Sequence, residues 1–175
     1  SAGTVNILSS SVSNLLIDGA TANFNGATTA TTISLTGGTL AGSGSVTSTG
    51  LFTWSGGTLS GSSVTNANGG LLIDNAGVTL DTRTFNNGTG SSATLSNFAQ
   101  IAFTNGAIVN NNGTFLAQTT NGFFDGFFEA GGGGTFNNTG TFTRNTGSTG
   151  FTVSSGIVFN NSGTVNVQTG TVSFD

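Results

Sequence analysis

The sequence predicts an all-β protein, a parallel β-helix (β-solenoid) of about eight right-handed coils. Three observations lead to this fold class: a composition poor in helix-forming residues, a short motif that recurs along the chain, and apolar residues that alternate with polar ones. The alternative within the all-β class is an antiparallel β-sandwich, which also joins short strands by turns. A sandwich does not require its sequence to repeat, so the repeat favours the solenoid.

The composition disfavours helices. Charged residues make up only 5% of the 175-residue chain, and its other polar residues are mostly Thr, Ser and Asn beside 30 glycines. These residue types are poor helix formers. Apolar residues make up 34% and recur regularly, which provides for a core. The length suits one domain, and we predict a single solenoid domain over residues 1–175.

Six segments share one pattern, an apolar residue followed by two or three small polar residues and then glycine. FNNTGT at residues 136–141 and FNNSGT at residues 159–164 are the clearest examples. Successive segments begin 18, 21, 24, 27 and 23 positions apart. A unit of this size cannot bury its own apolar face and must stack on its neighbours. The leading residues are Val46, Val64, Phe85, Val109, Phe136 and Phe159.

Between these motifs the residues alternate as in short strands with one apolar face. TVNVQ at residues 164–168 places Val165 and Val167 on the same side of a strand. Gly and Asn separate the strands, and both tolerate the left-handed backbone conformations of tight corners. Coils stacked in parallel about 4.8 Å apart would enclose a continuous apolar interior.

The repeat also places asparagine at the same coil corner in successive units. Stacked amide side chains can bond to one another along such a column and support it. We therefore predict a hydrogen-bonded ladder at this corner. Its members are Asn86, Asn110, Asn137 and Asn160.

The longest interval between motifs contains NGFFDGFFEAGGGG, residues 121–134. We interpret the region near 116–134 as a widened coil or a loop insertion. A strand would turn one ring of each Phe-Phe pair outward, whereas a compact loop would fold all four rings over the coil. Outward rings would form an apolar patch suited to contact with a neighbouring subunit. The phenylalanines concerned are Phe123, Phe124, Phe127 and Phe128.

Strand-like sequence continues close to both ends of the chain, and Val172 and Phe174 belong to its last segment, TVSF. Uncovered strand edges pair with other chains unless a cap protects them. The ends are therefore expected either to pair with other copies or to continue into a longer array. Head-to-tail pairing that does not close produces an open filament. We add Val172 and Phe174 to the predicted self-association residues.

The residue types present leave little room for catalysis. The chain lacks His, Cys and Lys, which excludes Ser-His, Cys-His and Ser-Lys nucleophiles within it. A glycosidase-like carboxylate pair is conceivable at Asp74 and Asp81, or at Asp125 and Glu129. Such sites also need aromatic platforms, and Trp54 is the single tryptophan. We predict no catalytic residue, no cofactor and no metal site.

Charge restricts the partners. Arg83 and Arg144 are the only basic residues and the net charge is −4, so binding to nucleic acid or an anionic membrane is not expected. No apolar run approaches the roughly 18 residues that membrane insertion needs. Each arginine is expected to bond a carboxylate or a turn carbonyl of a neighbouring coil.

Flat solenoid faces that carry rows of threonine can bind ice. Such a face needs T-x-T on successive coils, and here the motif does not recur in register. We therefore interpret the exposed threonines as ordinary strand-forming residues.

The recurring FNNxGT, followed by the alternating VNVQTGTVSF, resembles the repeat regions of large secreted bacterial adhesins and of autotransporter or filamentous-haemagglutinin-like passengers. The resemblance covers most of the chain and implies a secreted or cell-surface β-helix; it transfers no catalytic residue. We predict a non-enzymatic extracellular protein whose copies associate head to tail into a fibre or surface matrix. The alternative is an adhesin segment of a larger cell-surface protein that binds a host or glycan surface, with a carbohydrate-active or ice-binding solenoid as lesser alternatives.

Overall fold

The computed structural model describes residues 3–74, 76–120, 125–147 and 149–175. All regular elements in these ranges are β-strands, and they pair in parallel to form a solenoid. The predicted all-β class and the parallel β-solenoid are therefore confirmed. The described ranges contain no helix that is long and apolar enough to cross a membrane.

The structure contains twenty-three strands. The first eleven are β1 (Thr4–Ile7), β2 (Ser10–Ile17), β3 (Thr21–Phe24), β4 (Thr28–Leu35), β5 (Thr39–Ala41), β6 (Val46–Ser48), β7 (Phe52–Trp54), β8 (Thr58–Leu59), β9 (Val64–Ala67), β10 (Leu71–Asp74) and β11 (Gly77–Asp81). The others are β12 (Thr84–Asn87), β13 (Ser92–Asn97), β14 (Gln100–Thr104), β15 (Ala107–Asn111), β16 (Thr114–Thr119), β17 (Gly126–Glu129), β18 (Gly134–Asn138), β19 (Thr141–Arg144), β20 (Gly150–Val153), β21 (Ile157–Asn161), β22 (Thr164–Val167) and β23 (Thr171–Phe174).

The strands form three faces. Face A is a nine-stranded sheet with the order β1-β3-β5-β8-β11-β14-β17-β20-β23, one strand from each pass of the chain. Faces B and C belong to one fourteen-stranded sheet, because β4 pairs with β6 through its first half and with β7 through its second half. Beyond β4 they separate, so that face B comprises β6, β9, β12, β15, β18 and β21 and face C comprises β7, β10, β13, β16, β19 and β22.

Coil length increases along the chain as far as the glycine- and phenylalanine-rich segment, after which it falls to 23 residues between Asn137 and Asn160. The side chains of Ser10 and Thr28 bond across neighbouring coils and lie 18 residues apart. The equivalent separation is 24 residues between Asn86 and Asn110, and 27 residues between Asn110 and Asn137. The longest coil is therefore the one that contains the glycine- and phenylalanine-rich segment.

The structure differs from the sequence repeat at one leading residue, Val64. Val46 pairs with Thr65, and Thr65 pairs with Phe85, so Thr65 holds the inward position and Val64 faces outward. Thr65 is buried and accepts a hydrogen bond from Nε of Arg83 at 2.7 Å. A buried guanidinium needs such an acceptor, which explains a polar residue at a core position.

The interior is apolar along the described stack and becomes aromatic in the later coils. The rings of Phe127 and Phe136 stack with centroids 4.6 Å apart, and those of Phe115 and Phe142 stack at 5.6 Å. Aromatic pairs of this kind add about 0.5–1.5 kcal/mol each to the effect of burial alone. The wider coils therefore fill their larger cross-section with phenylalanine.

Candidate functional site

The first asparagine of each NNxGT motif belongs to an outer ladder on face B. Nδ2 of Asn110 donates to Oδ1 of Asn86 at 2.9 Å. Asn137 donates to Asn110, and Asn160 to Asn137, both at 2.9 Å. Asn86 in turn donates to Asn66 at 2.8 Å. The four asparagines expected at this corner are thus joined rung to rung, and the ladder has a further rung at Asn66.

The second asparagine of the motif forms an inner ladder, which the sequence reasoning missed. Nδ2 of Asn87 donates to Asn111, that of Asn111 to Asn138 and that of Asn138 to Asn161, each at 2.7 Å. The first three of these residues are buried. Each also donates to the carbonyl oxygen of the threonine that begins the face C strand of the next coil, at 3.0–3.1 Å. Two adjacent asparagines in one strand must face opposite sides, and this signal could have identified the inner ladder.

The two ladders run in opposite directions. Each outer amide donates to the coil before it, whereas each inner amide donates to the coil after it. The dipoles of the two columns therefore oppose each other, and bonds within each chain of amides polarise one another favourably. The inner ladder begins at Asn87, whose Oδ1 has no hydrogen-bond partner among the described residues.

Glycine in the NNxGT motif allows successive coils to approach at the corner between faces B and C. A Cβ atom added at Gly140 would collide with the carbonyl oxygen of Gly113, and one added at Gly163 would collide with that of Gly140. None of these three glycines has a positive φ, so close approach rather than backbone conformation requires them. The motif therefore encodes an outer amide, an inner amide, a close contact and the start of the next strand.

Arg83 is fully buried just before β12, where faces A and B meet. All five of its N–H donors are used: Nε bonds Oγ1 of Thr65, and the two terminal nitrogens bond four backbone carbonyls at 2.9–3.2 Å. Burial lowers the pKa of Arg83 to about 10, so the group remains charged at neutral pH. The expected turn-carbonyl role is confirmed. The carbonyls belong to Gly42, Gly44, Ser60 and Val64.

Arg144 is also fully buried, at the end of face C. One terminal nitrogen bonds the carbonyls of Ala117 and Thr119 at 3.0 and 2.8 Å, and the other bonds that of Thr149 at 3.0 Å. Burial lowers the pKa of Arg144, and attraction to Asp125 opposes this shift. Its Nε has no hydrogen-bond partner among the described residues. Arg144 is therefore less completely bonded than Arg83.

Asp74 and Asp81 belong to one coil, but each carboxylate has its own donors. Asp81 accepts from Nδ2 of Asn105 at 2.7 Å, which holds the pKa of Asp81 below its usual value. Asp74 accepts from Ser96 at 2.7 Å and Asn97 at 2.6 Å, and the bond from Ser96 is the main cause of its lowered pKa. Lowered values mean that these bonds stabilise the fold above the unfolded pKa of 3.8 and lose this effect as the pH falls through the folded pKa.

Asp125 and Glu129, the other conceivable carboxylate pair, have two separate structural settings. Oε1 of Glu129 accepts from the backbone N–H groups of Gly131 at 2.8 Å and Gly133 at 3.1 Å, and both glycines have positive φ. Glu129 thus organises the glycine-rich turn that follows it. Asp125 is 5% exposed and is attracted to Arg144. Within the described ranges, no group of three or more acidic, His or Cys side chains is placed to hold a metal ion.

The structure separates the two rings of the second Phe-Phe pair. Phe127 is 1% exposed and stacks on Phe136, so its ring belongs to the core and does not offer a contact to a neighbouring subunit. Phe128 is 46% exposed on the outer side of face A. This alternation follows the period of the strand. Phe123 and Phe124 lie outside the described residues.

Val172 and Phe174 belong to an apolar surface at one end of the described stack. Phe174 is 55% exposed and contacts the ring of Phe159 edge-on, with centroids 5.0 Å apart, whereas Val172 is partly buried. Val165 and Val167 of the same coil are 36% and 46% exposed. We call Val165, Val167, Val172 and Phe174 the C-terminal coil surface.

Threonines stack in register on face A. Five are aligned through β1, β3, β5, β8 and β11, and none of their hydroxyl groups bonds another described residue. The neighbouring outward column changes type, from Asn6 and Asn23 to Ala41, so T-x-T does not recur on successive coils. The aligned residues are Thr4, Thr21, Thr39, Thr58 and Thr79.

No protein-family model, curated protein or solved structure matches the chain significantly. The structure shows a β-solenoid repeat protein. The resemblance of the repeat to adhesin and autotransporter passengers stays a prediction, and a function has to follow from the residues themselves.

Proposed function

We propose that the protein is a non-enzymatic extracellular structural protein whose copies stack head to tail through their end coils, forming a fibre or a surface matrix. The observation that carries this proposal is the match in pattern between the C-terminal coil surface and the first coil. The extracellular location is part of the proposal and rests on the resemblance of the FNNxGT repeat.

On face A the first and last strands match in sequence. Strand β23 reads TVSF and strand β1 reads TVNI, and both place two apolar residues in the inward columns. If β1 of a second copy paired with β23 from Thr171 onward, Val172 would face Val5 and Phe174 would face Ile7. This pairing is shifted by four residues from the columns of the stack, in which the column of Thr4 ends at Asp175. Both pairs are apolar on apolar, and the added strand would use the free backbone groups of β23.

Face C offers a similar match. Continuing its columns would place Leu15 of a second copy against Val165, and Ile17 against Val167, because each of these residues occupies an inward position of its own coil. Val165 and Val167 are 36% and 46% exposed in the single chain. Covering them removes apolar area from water, which favours association by about 25 cal/mol per Å².

Face B contains a mismatch that sharpens the test. Continuing its columns would place Val12 of the second copy against Asn161, the last rung of the inner ladder. An amide at this position would extend the ladder across the contact, whereas valine leaves the Asn161 amide without a rung. Val12→Asn is therefore expected to favour association.

Sedimentation and electron microscopy over a range of concentrations test the proposal directly. We expect elongated assemblies, and we expect Phe174→Asp to raise the concentration at which they form by about tenfold or more, since it places a charge in the contact. Ser173→Asp is the matched control, because it adds the same charge on the outer side of the same strand. Val12→Asn should lower the onset concentration.

Two results would overturn the proposal. One is a chain that remains monomeric at every concentration. The other is an equal effect of Phe174→Asp and Ser173→Asp, which would show that net charge rather than the coil-end contact controls association.

A second candidate function is an adhesin segment of a larger cell-surface protein that binds a glycan surface. One observation favours it, a small cavity beside the exposed ring of Phe128 on face A, whose lining combines apolar and polar side chains. Variants of the coil ends would leave such binding intact, and variants of Phe128 would leave assembly intact.

A further inference from the structure

A cavity of about 280 Å³ lies on face A where β14, β17 and β20 run side by side. This volume is near the lower end of small-molecule sites, which are about 300–1,000 Å³, and suits one ring-sized group. The side chains that line it include those of Gln100, Asp125, Phe128, Thr152 and Asp175.

The strand register explains why the cavity exists. Gln100, Gly126 and Thr152 occupy the same position on successive strands. Gly126 has no side chain, so a gap opens between the side chains of Gln100 and Thr152. A larger residue is excluded at Gly126, which has a φ of 130° and whose added Cβ would collide with the carbonyl oxygen of Thr152. The gap is therefore part of the fold at this point.

The cavity combines one aromatic ring with free polar groups. Phe128 lies two residues after Gly126 in β17, lines the cavity and is 46% exposed. The side chains of Gln100 and Thr152 form no hydrogen bond with any other described residue. An amide and a hydroxyl group with unused donors and acceptors thus lie beside an exposed ring.

We propose that this cavity is a saccharide-binding subsite that takes one pyranose ring of a neutral or amine-bearing glycan. The C–H face of a pyranose is apolar and packs against an aromatic ring. Its hydroxyl groups both donate and accept, as do the side chains of Gln100 and Thr152 together. The class of ligand follows from this pairing of one apolar face with polar groups at its edge.

Asp125 determines which sugars fit. It also lines the cavity, it is 5% exposed, and the positive charge of Arg144 attracts it. A carboxylate at the wall repels an acidic sugar, because like charges placed together across a contact are costly. Neutral sugars are accommodated, and an amine on the ring adds attraction. Uronic acids are excluded.

The subsite is distinct from the coil-end contact. Phe128 and Thr152 lie in β17 and β20 on the outer side of face A, and the cavity reaches the last coil only at Asp175, whereas the coil-end contact involves inward columns of that coil. Either proposal can therefore fail without the other, and the onset concentration of assembly should not change when Phe128 is replaced.

Saturation-transfer difference NMR tests the subsite and tolerates both single chains and assemblies. The probes are N-acetylglucosamine, glucosamine and, with reversed charge, glucuronic acid. We expect transfer to the C–H protons of the first two sugars, saturating with concentration, and none to glucuronic acid. Absence of transfer to both of the first two sugars, or equal transfer to glucuronic acid, would overturn the proposal.

Three variants locate the site. Phe128→Ala should weaken binding about tenfold, the change expected when an aromatic contact is lost. Thr152→Val keeps the shape of the side chain and removes the hydroxyl group, and should weaken binding severalfold. Phe98→Ala is the matched control, since Phe98 is 54% exposed but does not line the cavity. Unchanged affinity in both Phe128→Ala and Thr152→Val, or an equal loss in Phe98→Ala, would refute the assignment.

Discussion

The early and late coils of this solenoid turn their corners in different ways. In the first two coils, the long strands β2 and β4 run through faces B and C without interruption, and bonded side chains on neighbouring coils from β1 to β9 lie 17 to 19 residues apart. In β12–β23, faces B and C are separate strands, the separation rises to 23–27 residues, and two asparagine ladders follow the corner. Chain that turns inside a core leaves backbone groups that need partners. The inner asparagines provide such partners, whereas an uninterrupted strand has no need of them.

The inner ladder begins between Ala67 and Asn87, although faces B and C are already separate strands from β6 and β7 onward. Ala67 and Asn87 pair on consecutive coils, and Asn87 is the first rung of the inner ladder. Arg83 lies four residues before Asn87 and bonds carbonyl groups of the earlier coils. The first coil with an inner asparagine ladder thus stacks on coils without one at the place where the buried Arg83 donates hydrogen bonds to backbone carbonyl groups.

The largest effect is expected from removing this cation. Arg83→Met keeps a long apolar side chain but leaves four carbonyl oxygens and the Thr65 hydroxyl without their donor. We expect the free energy of unfolding to fall by about 3–5 kcal/mol, measured by urea denaturation. Hydrogen exchange should show the loss of protection concentrated in β5–β9.

Arg144→Met is the matched control for this variant. Arg144 is equally buried, but its Nε has no partner in the described part of the chain. Arg144→Met should therefore lower the free energy of unfolding by clearly less than Arg83→Met does. A larger loss for Arg144→Met than for Arg83→Met would contradict the view that Arg83 joins the two kinds of coil.

A smaller effect is expected from interrupting the inner ladder. Asn111 accepts from Asn87 and donates to Asn138 and to the carbonyl of Thr141, so Asn111→Ala leaves buried polar groups on both sides unpaired. We expect a loss of about 2–3 kcal/mol in the free energy of unfolding. Protection against hydrogen exchange should fall mainly at the corners of the late coils.

Asn110→Ala provides the comparison within the same strand. Asn110 bonds Asn86 and Asn137 in the outer ladder, where water can replace a lost amide. Its loss should be about 0.5–1 kcal/mol. Equal losses in the free energy of unfolding for Asn111→Ala and Asn110→Ala would contradict the view that burial makes the inner ladder the stronger one.

Much of this architecture could be predicted from the sequence, and the remainder has identifiable causes. The repeat and the alternation of apolar residues were sufficient for the solenoid, because both follow from local periodicity. The alternation offered the separation of Phe127 from Phe128 as one of two alternatives, and the strand Gly126–Glu129 selects it, since neighbouring residues of a strand face opposite sides.

Other features depend on contacts between coils that local patterns do not contain. Val64 resembles a repeat position, but the buried guanidinium of Arg83 selects Thr65 for the interior. The cavity beside Phe128 depends on the register that aligns Gln100, Gly126 and Thr152. Glu129 resembles a candidate acid, yet its carboxylate binds backbone groups of the turn that follows it.

The smallest effect is expected from extending the inner ladder toward the early coils. Oδ1 of Asn87 is buried without a hydrogen-bond partner in the described structure, and Ala67 occupies the equivalent position one coil earlier. Ala67→Ser places a hydroxyl donor there with little added volume. We expect a gain of about 0.5–1 kcal/mol in the free energy of unfolding, measured by urea denaturation.

Ala93→Ser is the matched control, because Ala93 is equally buried and lies in a column of face C rather than in the column of Asn87. A serine there buries a hydroxyl group among apolar neighbours and should destabilise the fold. Opposite signs for the two variants would show that the early coils lack the ladder for want of a donor at Ala67. A loss in both variants would show instead that the corner between β9 and β10 has no room for a polar rung.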